Sequence, residues 1–226
     1  MRAGHATDTA QAVLLDMDGT LIRSEHVHRA VWQRFFTAWQ VEVDDERYAE
    51  AVMGRRGRDV LAELPGPWRP EDVPQALAAL HADVDAAAGE VTVVDGAVAL
   101  MRELAARGHR LAVVTSGGRG WAGRVLDDVL GVGDALEVVV TAEEVEVGKP
   151  SPEGYLTACR RLGVAPAGCA AVEDAPSGVR ALVAAGVGRI VGVSTTSSAE
   201  ALRAAGAMEV VPDLRPPASL VALGLA

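Results

Sequence analysis

The chain has 226 residues, a net charge of -10 and an apolar fraction of 50%. This length allows one or two domains with a sizeable core, and the negative charge argues against a nucleic-acid or anionic-membrane partner. The segment from Met1 to Gln11 lacks the apolar stretch of a signal peptide, and no apolar run is long enough to span a bilayer. Cys159 and Cys169 are the only cysteines, which predicts two buried thiols in a reducing cytoplasm.

A short apolar run, Val13 to Leu15, ends in the motif Asp16-Met17-Asp18-Gly19-Thr20. The run predicts a strand of a parallel sheet that is covered on both faces. An extended backbone points the carboxylates of Asp16 and Asp18 in the same direction, and Gly19 allows a sharp turn after them. Two neighbouring acids repel each other unless a cation joins them or one is protonated, so the motif indicates a metal site or acid–base chemistry. A calcium loop or an ordinary turn is the alternative for this stretch alone.

Residues 24–93 are predicted to be helical. Apolar side chains that recur every four residues give the first helix of this region one buried face, formed by Val27, Val31, Phe35 and Trp39. Two short helices are predicted in residues 44–64, with a break near Met53 and Gly54, and a further helix extends from Glu71 to Ala88. No strand is predicted in this region.

From residue 94 onwards, predicted strands and helices alternate. The strands are Arg110–Val114, Glu137–Val140, Cys169–Val172, Arg189–Val193 and Glu209–Val211. Asp95 is predicted as the N-cap of the first helix in this part. Alternation predicts right-handed crossovers and a parallel sheet with helices on both faces. The fold class is therefore α/β: a Rossmann-like doubly wound parallel sheet core, residues 1–23 and 94–226, with an inserted helical cap domain, residues 24–93, over the strand ends.

Polar groups follow four of the predicted strands. In chain order they are Asp16 and Asp18, Thr115 and Ser116, Lys149, and Glu173 and Asp174. Because the carboxyl ends of parallel strands meet at one edge of a sheet, we expect these side chains to lie close together. Lys149 is the sole lysine among 21 basic residues, which suggests a site where a compact ammonium is needed and a guanidinium would not serve. A helix cap, a turn and a solvated lysine are the alternatives for the separate motifs.

The acidic groups fit phosphoryl transfer. The Asp16 carboxylate can attack phosphorus and form an aspartyl phosphate. Asp18 can protonate the departing alcohol and then take a proton from the water that hydrolyses this intermediate. Asp174 and Glu173, with Asp16 and the Asp18 carbonyl, make an all-oxygen site that suits Mg²⁺.

The remaining groups fit the binding of a phosphate. Thr115 or Ser116, with the amides of Gly117 and Gly118 at a helix N-terminus, can hold the phosphate oxygens. Lys149 supplies a compact positive charge near both the phosphate and the nucleophile.

The ordered set of motifs resembles the haloacid dehalogenase superfamily, specifically its phosphatase branch with a helical cap, close to β-phosphoglucomutase. The motifs are Asp16-Met17-Asp18-Gly19-Thr20, Thr115, Lys149 and Glu173-Asp174, and the resemblance covers roughly residues 12 to 213. It implies that Asp16 is the nucleophile and Asp18 the acid and base. It also implies that Thr115 and Lys149 bind phosphate and that Glu173 and Asp174 bind magnesium.

The resemblance also bears on the substrate. It implies a Mg²⁺-dependent phosphatase that acts on a small phosphorylated sugar or polyol, in the cytoplasm, as a monomer or weak homodimer. A β-phosphoglucomutase-like mutase is the alternative; His28 resembles a position that mutases use near the hinge, but the cap lysine on which they rely is absent. A non-catalytic metal-dependent binding module is the least favoured alternative.

Contacts to the leaving group are predicted in the cap. Met53-Gly54-Arg55-Arg56 resembles the His-Gly-x-Arg segment of phosphatases acting on 2-deoxyglucose 6-phosphate and glycerol phosphate, with Met in place of His. Glycines beside arginines allow a loop to reach into a cleft, so Arg55, Arg56 and Arg58 are predicted to bind the substrate, with Arg56 first. Arginines at a solvated helix start are the alternative.

Overall fold

A computed structural model describes residues 10–226 of the chain, and the structural statements below concern these residues. The first nine residues, on which most of the signal-peptide prediction depends, lie outside this range. None of the described helices is long and apolar enough to cross a membrane.

A parallel sheet of six strands forms the centre of the described chain. The six strands in chain order are β1 (Ala12–Leu15), β4 (Arg110–Val114), β5 (Val138–Val140), β6 (Cys169–Glu173), β7 (Arg189–Val193) and β8 (Glu209–Val211); β2 (Ile22–Arg23) and β3 (Thr92–Val93) form a separate two-stranded sheet. The sheet has the order β5-β4-β1-β6-β7-β8, and each of its pairs is parallel. β1 therefore lies between β4 and β6, at the point where the strand order reverses, which is where open α/β sheets place ligands. The predicted Rossmann-like core is confirmed.

Helices cover both faces of this sheet. They are α5 (Ala97–Ala106), α6 (Arg119–Gly123, continued by a π-helical turn over Arg124–Val129), α7 (Glu153–Leu162), α8 (Pro176–Ala185), α9 (Ala199–Ala205) and α10 (Ala218–Leu223). All of β1 is buried, and its side chains alternate between two hydrophobic clusters. Val13 and Leu15 belong to one cluster, and Ala12 and Leu14 to the other. This alternation explains why β1 is an unbroken apolar run.

Four further helices, which we call the cap together with the loops between them, contact the loops at the carboxyl edge of the sheet. They are α1 (Glu25–Ala38), α2 (Asp45–Ala51), α3 (Gly57–Glu63) and α4 (Val73–Ala86). These helices pack around a hydrophobic cluster of their own, to which Trp32, Phe35 and Leu80 belong. The predicted break between α2 and α3 is present, and Gly54 adopts a φ of 68° there.

Two local predictions are wrong. Residues 24–93 do contain a strand, because β3 pairs antiparallel with β2 where the chain enters and leaves the cap. Two residues are too short for a periodic signal. Asp95 is not the N-cap of α5; Gly96 holds that position with a φ of 85°, and the Asp95 carboxylate instead accepts a hydrogen bond from Arg215.

The prediction of two buried thiols is confirmed. Cys159 and Cys169 are both buried, and neither forms a disulfide.

Candidate active site

Lys149 lies at the carboxyl edge of the sheet between two carboxylates. Its ammonium Nζ is 2.5 Å from Asp16 Oδ1 and 2.8 Å from Glu173 Oε1, and it also donates to the Val114 carbonyl. Burial opposes the charge on Lys149, but the two carboxylates outweigh this effect and raise its pKa well above the usual value. The sole lysine of the chain therefore stays protonated.

Asp16, Glu173 and Asp174 form a buried acidic cluster, in which one carboxylate oxygen of each lies within 4.8 Å of the others. Burial raises the pKa of Asp16 to about 7, and the charges of neighbouring acids add to it although Lys149 lowers it. Burial and the charges of Glu173 and Asp16 likewise raise the pKa of Asp174 well above its usual value. One lysine cannot neutralise three acids, so the cluster has the excess negative charge of a cation site.

The oxygens of the cluster differ in their availability. Asp16 Oδ2 is buried and has no hydrogen-bond partner. Glu173, in contrast, accepts from Lys149 and Tyr155 with one oxygen and from the Ala175 amide with the other. The free donor atom of Asp16 fits a hard cation, which prefers carboxylate oxygen. Glu173 is the less available ligand, because its oxygens already have partners.

A glycine lets the loop after β1 approach this cluster closely. Gly19 has a φ of 84°, and a Cβ atom there would lie 1.9 Å from Asp174 Oδ2. Neither the backbone angle nor the space admits a side chain. The Asp-x-Asp-Gly pattern of the sequence therefore reflects a close contact between this loop and the end of β6.

The Asp18 carboxylate lies outside the acidic cluster and accepts four hydrogen bonds. The donors are Ser24 Oγ at 2.8 Å, His28 Nε2 and Trp121 Nε1 at 2.9 Å, and Thr115 Oγ1 at 3.2 Å. Burial alone would raise the pKa of Asp18, but His28 and the other donors outweigh it and lower this pKa. A contribution of Asp18 to a metal site would therefore come from its backbone carbonyl.

The Thr115-Ser116-Gly117 segment after β4 contacts both the core and the cap. Thr115 Oγ1 accepts from the Gly117 amide at 2.9 Å while it donates to Asp18. Ser116 Oγ donates to the carbonyl of Gly54 in the cap at 3.1 Å. In this structure the Ser116 hydroxyl therefore joins core and cap.

A cavity of about 220 Å³ lies between the cap and the carboxyl edge of the sheet. Its core wall includes Asp18, Gly19, Ser116, Gly117, Trp121 and Asp174, and its cap wall includes Glu25, His28, Trp32, Arg55, His81 and Asp85. Sequence reasoning missed Trp121, Ser24 and Tyr155 as polar partners of the site. The available signal for Trp121 was its place in the helix that follows Thr115-Ser116.

The three predicted cap arginines have different environments. Arg55 lines the cavity, but its guanidinium pairs with Glu63 at 2.7 Å. Arg58 is exposed and is not part of the cavity wall. The structure contradicts the prediction for Arg56, because its guanidinium is buried against Asp59 and backbone carbonyls of the core instead of lining the cavity.

The fold and this site define a hydrolase: the sequence profile of the haloacid dehalogenase-like hydrolases matches residues 10–186, and the chain belongs to this family. Among its relatives is validoxylamine A 7'-phosphate phosphatase of Streptomyces hygroscopicus subsp. limoneus, 40% identical over 85% of this chain and 89% of that protein. Hexitol phosphatase A of Escherichia coli (strain K12) is 34% identical over 76% of this chain and 78% of that protein.

A solved structure extends the comparison to the whole fold. CbbY from Rhodobacter sphaeroides, crystallised in complex with xylulose-(1,5)bisphosphate, superposes with a TM-score of 0.79 and 26% identity, covering 95% of this chain and 99% of that chain. The family match and the relatives named as phosphatases support a phosphoric monoester hydrolase. The predicted family, fold and class of enzyme are therefore confirmed.

Proposed function

We propose that the protein is a Mg²⁺-dependent phosphatase that hydrolyses a small phosphorylated sugar or polyol through an aspartyl phosphate on Asp16. One observation carries the proposal: Lys149 binds Asp16 Oδ1, whereas Asp16 Oδ2 is buried without a partner. Lys149 thus holds Oδ1 in place for attack on phosphorus, and Oδ2 is left free for the cation. The position at the end of β1 holds this nucleophile on a rigid element.

The proposed metal fits the acidic cluster. Asp16 and Asp174 would hold the ion, together with the Asp18 carbonyl, and Glu173 is the less available fourth group. When bound, Mg²⁺ supplies stabilisation of the negative charge on the phosphoryl oxygens. The pKa values of Asp16 and Asp174 are raised by burial and by neighbouring acids, which is the electrostatic situation that a divalent cation relieves.

Lys149 and Thr115 are proposed to bind the transferring phosphate. Lys149 remains charged and lies 2.5 Å from the nucleophile, so a phosphate placed for attack by Asp16 would also meet the ammonium. Such a fixed charge in a buried site stabilises the transition state without reorganisation.

Asp18 is proposed as the acid and base. It lies on the cavity wall, where the leaving alcohol of the ester would be located. His28 and the other donors favour its ionised form, which suits the step in which water is deprotonated. The negative charge of an incoming phosphate raises the pKa of a nearby carboxyl, and this favours the earlier step in which Asp18 donates a proton.

The cavity supports a small substrate. A volume of about 220 Å³ under the cap accommodates a metabolite and not a macromolecule. Relatives named for validoxylamine A 7'-phosphate and hexitol substrates favour a polyhydroxylated leaving group. We further propose that residues 24–93 act as a cap domain that excludes water from the reaction, and that the enzyme is a cytoplasmic monomer or weak homodimer.

A phosphate-release assay tests the proposal. We expect hydrolysis of p-nitrophenyl phosphate and of several sugar and polyol phosphates with Mg²⁺, and loss of activity after exhaustive chelation. Activity that persists without a divalent cation would contradict the metal site. Conversion of a hexose phosphate into its isomer without release of phosphate would favour a mutase instead.

A further inference from the structure

Arg56 uses its whole guanidinium to join the cap to one loop of the core. Nε donates to Asp59 Oδ2 at 3.0 Å and Nη2 to Asp59 Oδ1 at 2.7 Å. Nη1 donates to the carbonyls of Ala142 at 3.1 Å and Val145 at 2.6 Å, and Nη2 also donates to that of Glu146. Because Arg56 is only 5% exposed, these protein groups replace its hydration shell.

Asp59 makes a second contact with the same core loop. Its Oδ2 accepts a hydrogen bond from the Gly148 amide at 2.9 Å. A Cβ atom at Gly148 would lie 2.5 Å from this oxygen, so the contact requires a residue without a side chain. The next residue in the chain is Lys149, whose ammonium holds the nucleophile Asp16.

Comparison with a second arginine–aspartate pair of the cap shows that the Arg56 pair is unusually buried. Arg69 and Asp72 have the same spacing of three residues as Arg56 and Asp59. The Arg69 side chain is 70% exposed, whereas that of Arg56 is 6% exposed. Exposed pairs contribute little, but a buried pair is tolerated only when its donors and acceptors are satisfied in one geometry. The Arg56 pair therefore specifies one seating of the cap on the core.

We propose that Arg56 and Asp59 form a latch that couples the seating of the cap to the placement of Lys149. The latch binds four backbone groups of the segment 142–148, and that segment leads directly into Lys149. Arg56 is thus a positioning residue that acts through this loop and does not contact the substrate. The inference rests on the proposed function in so far as Lys149 serves phosphoryl transfer.

Kinetics of two substrates separate this role from leaving-group binding. We compare Arg56→Met and Arg56→Lys with the matched control Arg69→Met, using p-nitrophenyl phosphate and glucitol 6-phosphate with Mg²⁺. Misplacement of a reacting group by about 1 Å can cost about 10²-fold, so we expect kcat of Arg56→Met to fall by that order for both substrates. KM should change little, Arg56→Lys should recover part of kcat, and Arg69→Met should match the wild type. A selective rise in KM for the polyol phosphate would overturn the latch and return Arg56 to substrate binding.

Hydrogen exchange tests the latch without requiring activity. We expect faster amide exchange across residues 142–149 in Arg56→Met and in the near-isosteric Asp59→Asn, but not in Arg69→Met, with unchanged exchange in β1 as evidence that the core is folded. Unchanged exchange across 142–149 in both latch variants would overturn the inference. Because exchange is measured on the free enzyme, absence of phosphatase activity in the wild type would count against the proposed function alone.

Discussion

The core and the cap obtain the polar groups beside the cavity in different ways. At the carboxyl edge of the core, charged side chains come directly after strands, as Asp16 does after β1, and they bind one another across the sheet edge. In the cap, neighbouring side chains of one loop have unrelated partners, because Arg55 pairs within the cap while Arg56 binds the core. A parallel sheet confines the ends of its strands to one edge, whereas a loop between short helices imposes no such restriction. The residues of the core that could carry out the reaction are therefore easier to predict from the sequence than the residues of the cap that select the substrate.

The largest effect is expected when the proposed nucleophile of the core, Asp16, is replaced. We expect Asp16→Asn to fold normally and to lose turnover below detection, because an amide is nearly isosteric but cannot attack phosphorus. Phosphate release from p-nitrophenyl phosphate measures the effect. Mass spectrometry has to exclude deamidation to Asp, and substantial turnover by the intact amide would contradict the mechanism.

The sole lysine provides the next largest effect. Lys149→Arg keeps the charge, but the wider planar guanidinium does not fit between Asp16 and Glu173, whose oxygens lie 2.5 Å and 2.8 Å from Nζ. We expect kcat to fall by about 10²-fold or more, as when one transition-state donor is lost. Arg110→Lys is the matched control, since Arg110 pairs with Glu137 on the surface, away from the cavity. Wild-type kinetics of Lys149→Arg would show that charge alone suffices.

The sequence predicted the core well because its signals are local. The apolar run of Val13 to Leu15 can satisfy both faces of a sheet only as a central strand, and the polar residues after it are then fixed at the edge. Because the polar residues after β6 lie at the same edge, Glu173 and Asp174 join Asp16 there, and these three acids outnumber Lys149. Asp18 follows β1 as well, but its partner Trp121 is 103 residues away and could not be identified from spacing.

Arg56 shows why the cap could not be predicted in the same way. Its neighbours Arg55 and Gly57 line the cavity, and the sequence gives all of them the same polar, glycine-rich context. What separates Arg56 is the set of carbonyls at residues 142–146, which become available only once the cap sits on the core. Such tertiary partners leave no periodicity or motif in the chain.

Metal binding to the acidic cluster of the core should change the stability of the protein. Burial raises the pKa of Asp16 to about 7 and that of Asp174 well above its usual value, so the folded state without metal binds protons more tightly than the unfolded chain. Its stability therefore falls as the pH rises from the unfolded values near 4 through about 7, because the clustered acids ionise. Mg²⁺ binds the ionised acids, so we expect it to raise Tm by a few degrees more at about pH 8 than at about pH 6. Differential scanning fluorimetry measures this difference, and an equal shift in Asp174→Asn would contradict the assignment.

The smallest expected effect is a lower kcat/KM for substrates whose leaving group carries a negative charge. Glu143 and Asp85 line the cap side of the cavity, and Asp85 pairs with Arg124 at 3.1 Å. Two basic residues of the cavity wall already have acidic partners, since Arg55 pairs with Glu63 and His28 with Asp18. Although partial burial raises the pKa of Glu143, hydrogen bonds from Thr141 and the Arg119 amide lower it overall and keep the group ionised. A second phosphate on the substrate would meet carboxylates, so kcat/KM should be lower for a sugar bisphosphate than for the matching monophosphate.

Glu143→Gln tests the electrostatic origin of that preference. The amide oxygen can still accept from the Arg119 amide, so the loop keeps its contact while one negative charge is lost. Because Glu143 is exposed, the change is worth at most about 1 kcal/mol, and the ratio of the two kcat/KM values should narrow by roughly twofold to fivefold. The narrowing should shrink at high salt, since exposed charges are screened. A ratio that does not respond to Glu143→Gln or to salt would mean that shape, through residues such as Trp32, and not charge selects the substrate.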